Sequence, residues 1–162
     1  RDSSTSRGLG DVYKRQSEDN GTLQIAELDD TYTAHTGRYV RAFEGRFMEA
    51  PALFKKDGKY WFIGSGCSGW APNAARSAVA DRIFGPWREL GNPARGENAN
   101  KTHFSQSTYV LPHPAKPGAF IYCGDRWTPK NAIDGRYIWL PIEWEDGKPI
   151  LNWKDAWTPD DL

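Results

Sequence analysis

Apolar and polar residues alternate over short stretches along most of this chain, a pattern that favours β-strands over helices. The run GTLQIAEL (21–28) alternates as a half-buried strand does. In PALFKKDGKYWFIGSG (51–66), two apolar segments flank Asp57-Gly58. Because Asp-Gly favours a type I′ turn, this run predicts a β-hairpin.

Similar hairpins recur further along the chain. STYVLPH and AFIYCGDRW are joined by the turn-rich PAKPG, and RYIWLPIEW and PILNW by a second Asp-Gly turn. SAVA (77–80) fits either a buried strand or the start of a helix that Gly85-Pro86 ends, whereas GNPARGENANKT is a polar loop. We expect one four-stranded meander from Pro51 to Trp87 and a second from Ser107 to Trp153. Repeats of about 45–55 residues favour a β-propeller, with a sandwich or barrel as the alternative.

Composition narrows the possible partners. The 162 residues suffice for one domain with a real core. Lys plus Arg and Asp plus Glu both number 21, so the formal net charge of zero argues against a nucleic-acid partner. No apolar run has the length of a membrane-spanning helix. The eight Trp residues and the mean hydropathy of −0.73 suit a sugar-binding protein, although composition alone favours an aromatic β-sheet core as their explanation.

The N-terminal residues, the cysteines and the histidines give little information about function. Residues 1–16 show no hydrophobic periodicity, and we expect a non-native or disordered segment there, followed by the C-terminal part of a longer domain in residues 17–162. Cys67 and Cys123 form either one disulfide or none. The three His residues have no metal-ligand spacing, so no metal site is predicted.

Two polar residues stand at the starts of predicted strands. Glu49 follows Met48 and precedes Ala50-Pro51, an apolar setting in which a carboxylate is costly to bury. Gln106 lies 57 residues further on, about one blade of a propeller. Because equivalent strand starts of adjacent blades line the central cavity of a propeller, we expect both side chains to face one pocket.

Four runs together resemble glycoside hydrolase family 43, in particular its exo-β-1,3-galactanase branch. They are MEAPALFKKDGKYWFIGSGCSGW, AARSAVADRIFGPW, HFSQSTYVLPHPAKPGAFIYCGDRWTP and RYIWLPIEW, and the resemblance extends from about Ser17 to Trp157. It implies an all-β fold, a partial five-bladed β-propeller with about two to three blades in this chain. It also implies an enzyme that cleaves glycosidic bonds with inversion.

The resemblance assigns roles to individual residues. Glu49 matches the general acid, which must be protonated before it acts, and apolar surroundings favour that form of a carboxyl group. Gln106 matches a residue that orients the attacking water, since a neutral amide is a poor base. The third carboxylate of the family is expected outside this chain. Ser68, Trp70 and Asn20 are candidate substrate-binding residues.

Two neighbouring features carry structural expectations. Cys67 is expected to be a small buried residue beside the site. Asp125 and Arg126 are expected to form an ion pair that fixes a loop.

The resemblance predicts hydrolysis of terminal galactosyl linkages in β-1,3-galactan or arabinogalactan. An α-L-arabinofuranosidase or β-xylosidase of the same family is one alternative, and a non-catalytic glycan-binding propeller is another. The expected partner is an oligo- or polysaccharide, with no nucleic acid and no membrane. No cofactor is expected, although some family members hold a central ion, which keeps a structural calcium ion as an alternative. The whole protein is expected to be monomeric and secreted or periplasmic, and this chain alone inactive or nearly so.

Overall fold

The computed structural model describes residues 13–18 and 21–162, and these residues form strands joined by turns and three short 3₁₀ helices. The strands are β1 Tyr13–Glu18, β2 Thr22–Leu28, β3 His35–Ala42, β4 Met48–Lys56, β5 Lys59–Gly66, β6 Arg76–Ala80, β7 Arg88–Gly91, β8 Ala94–Arg95, β9 Gln106–Pro112, β10 Phe120–Arg126, β11 Arg136–Pro141, β12 Glu143–Glu145 and β13 Lys148–Asn152. The 3₁₀ helices are Ala99–Phe104, Ala132–Asp134 and Pro159–Asp161.

The strands form consecutive antiparallel meanders, as blades do. The sheet orders are β1-β2-β3, β4-β5-β6-β7 and β11-β10-β9, and a small sheet has the order β12-β13-β8. Neighbours pair antiparallel except β13 and β8, which are parallel. The predicted hairpin of β4 and β5 is confirmed, and φ angles of 51° at Asp57 and 76° at Gly58 fit the predicted turn.

The core consists of two apolar clusters, one on each face of the β4–β7 sheet. Successive side chains of β5 point to opposite faces, since the side-chain period of a strand is two. Trp61 and Ile63 therefore pack with Tyr122 of β10, whereas Phe62 packs with Ile25 of β2. The β4–β7 sheet therefore packs between the sheet of β1–β3 and the sheet of β9–β11, and this packing fixes the relative positions of β4 and β9.

The structure decides between the strand and the helix that were predicted for SAVA, and it corrects the extent of the second meander. SAVA is a strand, β6, because its residues are buried between two sheets, and a helix would expose part of them. The second meander ends at β11: the apolar run of β13 pairs instead with β8, inside the segment expected to be a polar loop. β3 was not predicted, because most of its side chains are exposed and leave no alternating signal.

The expected boundary at residue 16 also needs revision. The backbone of Tyr13–Glu18 pairs with β2, so the first strand begins before that boundary. Residues 1–12 lie outside the described part of the chain.

Candidate active site

A β-bulge at the start of β4 presents Glu49. The register of β4 and β5 shifts between Glu49 and Ala52, so that Ala50 and Pro51 together lie opposite Gly64. Ala50 has φ 50°, a left-handed conformation that is uncommon for a residue with a side chain. A Cβ at Gly64 would lie 2.9 Å from the carbonyl oxygen of Glu49, so glycine permits this close approach. Bulges of this kind re-aim a side chain at the end of a strand.

The start of β9 repeats this arrangement in the next sheet. Its register with β10 shifts beside Gly124, which lies opposite Ser107. In β4 and β5, Glu49 lies opposite Ser65. In β9 and β10, Gln106 lies opposite Asp125. The two strand starts are therefore equivalent positions of adjacent sheets, as the spacing in the sequence predicted.

A buried hydroxyl joins the two strand starts. Ser107 is only 4% exposed, and its hydroxyl donates a hydrogen bond to the carbonyl oxygen of Ala50 at 2.5 Å. The bulge removes this carbonyl from the regular ladder of β4, and a buried carbonyl without a partner is costly. Ser107 therefore supports the backbone conformation that orients Glu49.

The structure brings the two predicted catalytic side chains into direct contact. Nε2 of Gln106 donates to Oε1 of Glu49 at 3.0 Å and to Oγ of Ser65 at 2.9 Å. Glu49 is half-buried, whereas the neighbouring Met48 is only 1% exposed and packs in the apolar cluster beside β2.

This contact also restricts the mechanism. Acid and base groups of inverting glycosidases are about 6.5–9.5 Å apart, which leaves room for a water molecule. Side chains joined by a 3.0 Å hydrogen bond leave no such room. The acid and water-orienting roles that the resemblance implies therefore require the hydrogen bond between Gln106 and Glu49 to open.

An open cavity of about 600 Å³ adjoins this pair, within the usual size range of ligand sites. Gln106, Ser65 and Asp125 line it together with Trp70 and Trp127. Trp70 is 65% exposed and stacks on Trp127, with ring centroids 4.9 Å apart and an interplanar angle of 24°. The cavity thus combines a flat aromatic face with polar groups.

Neither a family model nor a curated protein matches the chain. Among solved structures, a family 43 β-1,3-galactosidase with galactodeoxynojirimycin is 52% identical over 98% of this chain, with a TM-score of 0.91. The chain belongs to glycoside hydrolase family 43. A second family 43 β-1,3-galactosidase is 37% identical over 97% of the chain, with a TM-score of 0.90. An exo-β-1,3-galactanase from Clostridium thermocellum is 31% identical over 93% of the chain, with a TM-score of 0.81.

This family 43 chain spans less than half of these solved structures, since it covers 46%, 34% and 33% of their lengths. Over that span its fold agrees with theirs. The prediction of an all-β chain that forms part of a β-propeller is confirmed.

The other candidates for the family 43 site differ in their surroundings. Trp70 lines the cavity, as a ring that stacks on a sugar would. Ser68 lies in the turn that follows β5. Its hydroxyl donates to the carbonyl of Ala71 at 2.6 Å and accepts from the side-chain amide of Asn73. The turn therefore uses the hydroxyl that was expected to bind sugar. Asn20 lies outside the described residues.

Cys67 differs from its expected role as a buried residue. Cys67 is exposed, and its thiol forms a hydrogen bond with the side chain of Glu49. Partial loss of solvent, followed by the Glu49 charge, raises the pKa of Cys67 above its usual value. Cys123 is also a free thiol, so the two cysteines form no disulfide, and burial raises the pKa of Cys123 to about 11.

The expected ion pair of Asp125 and Arg126 is wrong. Arg126 instead donates to the carbonyl oxygen of His103 at 2.8 Å and lies 5.0 Å from the ring centre of Trp153. Since neighbouring side chains of a strand point to opposite faces, Arg126 is directed away from Asp125.

Sequence reasoning missed Ser65, Ser107 and Trp127 as parts of this site. One pattern in the sequence points to this part of the site. Each of the two hairpins has a polar residue at the start of its first strand and a glycine near the end of its second strand, but the pairing between them is known only from the register.

The described residues contain neither a cluster of metal ligands nor a membrane-spanning helix. No three His, Cys, Asp or Glu side chains lie close enough there to hold a metal ion. In the same part of the chain, no helix is both long and apolar enough to span a membrane.

Proposed function

We propose that the whole protein is an inverting glycoside hydrolase that releases terminal galactose from β-1,3-galactan or arabinogalactan. The contact between Glu49 and Gln106, beside a cavity with an exposed Trp70, is the observation that carries this proposal. Two similar solved structures are named β-1,3-galactosidases. An exo-β-1,3-galactanase from Phanerochaete chrysosporium, 31% identical, was solved with β-1,3-galactotriose in a variant that carries Gln in place of one Glu.

In this mechanism, Glu49 is the general acid. Its protonated carboxyl group donates to the glycosidic oxygen as the bond to the anomeric carbon breaks. Glu49 is half-buried, so part of its surface is removed from water. The leaving sugar gains the proton of Glu49, and exchange with solvent returns a proton to the carboxylate after the product leaves.

Gln106 has the second role, that of orienting the water. When sugar binding separates it from Glu49, the amide keeps its bond to Ser65 and turns towards the opposite face of the sugar. The water then adds its hydroxyl to the anomeric carbon, and its remaining proton passes to solvent. An amide supplies orientation rather than strong basicity.

The exposed ring of Trp70 provides the stacking surface for a sugar in this proposal. The substrate is an oligo- or polysaccharide, and the residues assigned here require no cofactor. Polymers of this kind lie outside the cell, which favours a secreted or periplasmic location for the whole protein.

The test is hydrolysis by the whole protein with and without its acid. We expect it to release galactose from β-1,3-galactan faster than it cleaves aryl arabinofuranosides or xylosides. The Glu49→Gln variant should lose a factor of about 10²–10⁴ in kcat, the usual contribution of a general acid, and keep its affinity for β-1,3-galactobiose.

Glu145→Gln is the matched control, because Glu145 is exposed and belongs to β12, away from the cavity. It should leave kcat unchanged. Unchanged turnover in Glu49→Gln would remove Glu49 from the role of acid. Binding without hydrolysis by the unsubstituted protein would instead indicate a non-catalytic glycan-binding propeller.

A further inference from the structure

We propose that Asp125 is a further substrate-contacting residue, whose carboxylate binds hydroxyl groups of the sugar that lies against Trp70 and Trp127. The inference rests on the proposed function and extends it to a residue that neither the sequence patterns nor the resemblance assigned to the site. It concerns binding of the sugar rather than cleavage of its bond, so the two ideas can be tested separately.

The position of Asp125 in the sheet is the first argument. Asp125 lies in β10, directly opposite Gln106 of β9. The equivalent position in the preceding sheet is Ser65, opposite Glu49. The hydroxyl of Ser65 already belongs to the site, since it accepts a hydrogen bond from Gln106. Because Ser65 and Asp125 occupy equivalent positions of neighbouring sheets, both side chains line the same cavity.

The chemistry of the cavity wall is the second argument. Among the described residues that line the cavity, Asp125 is the only one with a charged side chain. Within residues 21–162, its carboxylate has neither an ion-pair partner nor a hydrogen-bond donor, because Arg126 binds the carbonyl of His103 instead. An ionised carboxylate accepts hydrogen bonds at both oxygens, and sugar hydroxyls are suitable donors.

The environment of the carboxylate is the third argument. Asp125 is exposed in β10, so its carboxylate is accessible to a ligand, and partial loss of the surrounding water raises its pKa above its usual value. A carboxylate that has lost part of its hydration gains more from hydrogen-bond donors in a ligand. Trp127 lies two residues further along the chain and stacks on Trp70. A sugar on this aromatic face therefore has an acceptor beside its ring.

The experiment measures binding in a whole protein that carries Glu49→Gln, so that turnover does not interfere. Calorimetric titration with β-1,3-galactobiose compares this protein with one that also carries Asp125→Asn. We expect the affinity to fall by about tenfold to a hundredfold, as loss of a hydrogen bond to a charged group does. Asp81→Asn is the control, since Asp81 pairs with Lys59 at 2.8 Å outside this cavity, and its affinity should not change.

A set of monodeoxygalactosides distinguishes contact from a structural effect. If Asp125 binds a given hydroxyl, removing that hydroxyl weakens binding to the protein with Asp125 but has little further effect on Asp125→Asn. If every deoxy sugar loses the same affinity for both proteins, so that the losses are purely additive, the inference is overturned. It is also overturned if the proteins with and without Asp125→Asn bind β-1,3-galactobiose equally, or if neither binds it. Absence of galactan hydrolysis by the unsubstituted protein in a separate turnover assay would overturn the proposed function and leave this binding test readable.

Discussion

Gln106 shows how one residue connects two parts of the site. Its amide donates to Glu49 at 3.0 Å and to Ser65 at 2.9 Å, so it joins side chains of two sheets. The resemblance to the family predicted from the sequence alone that Gln106 and Glu49 are catalytic residues. Their mutual hydrogen bond was not foreseeable, because it depends on the distance between side chains 57 residues apart.

Replacement of Gln106 by Ala tests its role directly. We expect kcat of the whole protein to fall by about a hundredfold, as when one fixed hydrogen-bond donor is removed from an active site. The fold should be retained, because the side chain of Gln106 is exposed. Steady-state kinetics measure the effect, and Gln24→Ala in β2 is the matched control. Equal kcat values for the two variants would show that Gln106 does not take part in the reaction.

At the scale of strands and turns, the Asp-Gly hairpins were predictable and the bulges were not. Asp57-Gly58 combines a local turn signal with apolar flanks, so the sequence contains all the information that the hairpin needs. The bulge at Ala50 depends on Ser107 from another sheet, a contact that no local pattern reveals. β3 was missed for a simpler reason: its exposed side chains give no hydrophobic period.

Ser107→Ala tests whether the bulge positions the acid. The variant leaves the carbonyl of Ala50 without its donor, which should lower the free energy of unfolding by about 1–3 kcal/mol. It should also lower kcat, because the bulge orients Glu49. Urea denaturation and steady-state kinetics measure the two effects.

Ser77→Ala is the control for this experiment, since Ser77 is 2% exposed and donates to the carbonyl of Gly91 at 2.9 Å, away from the cavity. It should lower stability by a similar amount and leave kcat unchanged. A similar loss of kcat in both variants would indicate a general effect of destabilisation rather than a role for the bulge.

At the scale of the molecule, stacked sheets hold the candidate site. The apolar clusters on the two faces of β4–β7 fix that sheet between its neighbours, and the starts of β4 and β9 then meet at one cavity. The chain spans 46% of a family 43 β-1,3-galactosidase to which it is similar. Activity must therefore be tested with the whole protein.

The most direct test is a crystal structure of the whole protein carrying Glu49→Gln, with β-1,3-galactobiose bound. We expect residue 49 within hydrogen-bond distance of the glycosidic oxygen, Gln106 separated from residue 49 and turned towards a water molecule at the anomeric carbon, and a sugar ring against Trp70. A disaccharide bound away from Glu49 and Gln106, with the hydrogen bond between those two positions intact, would contradict the proposed active site.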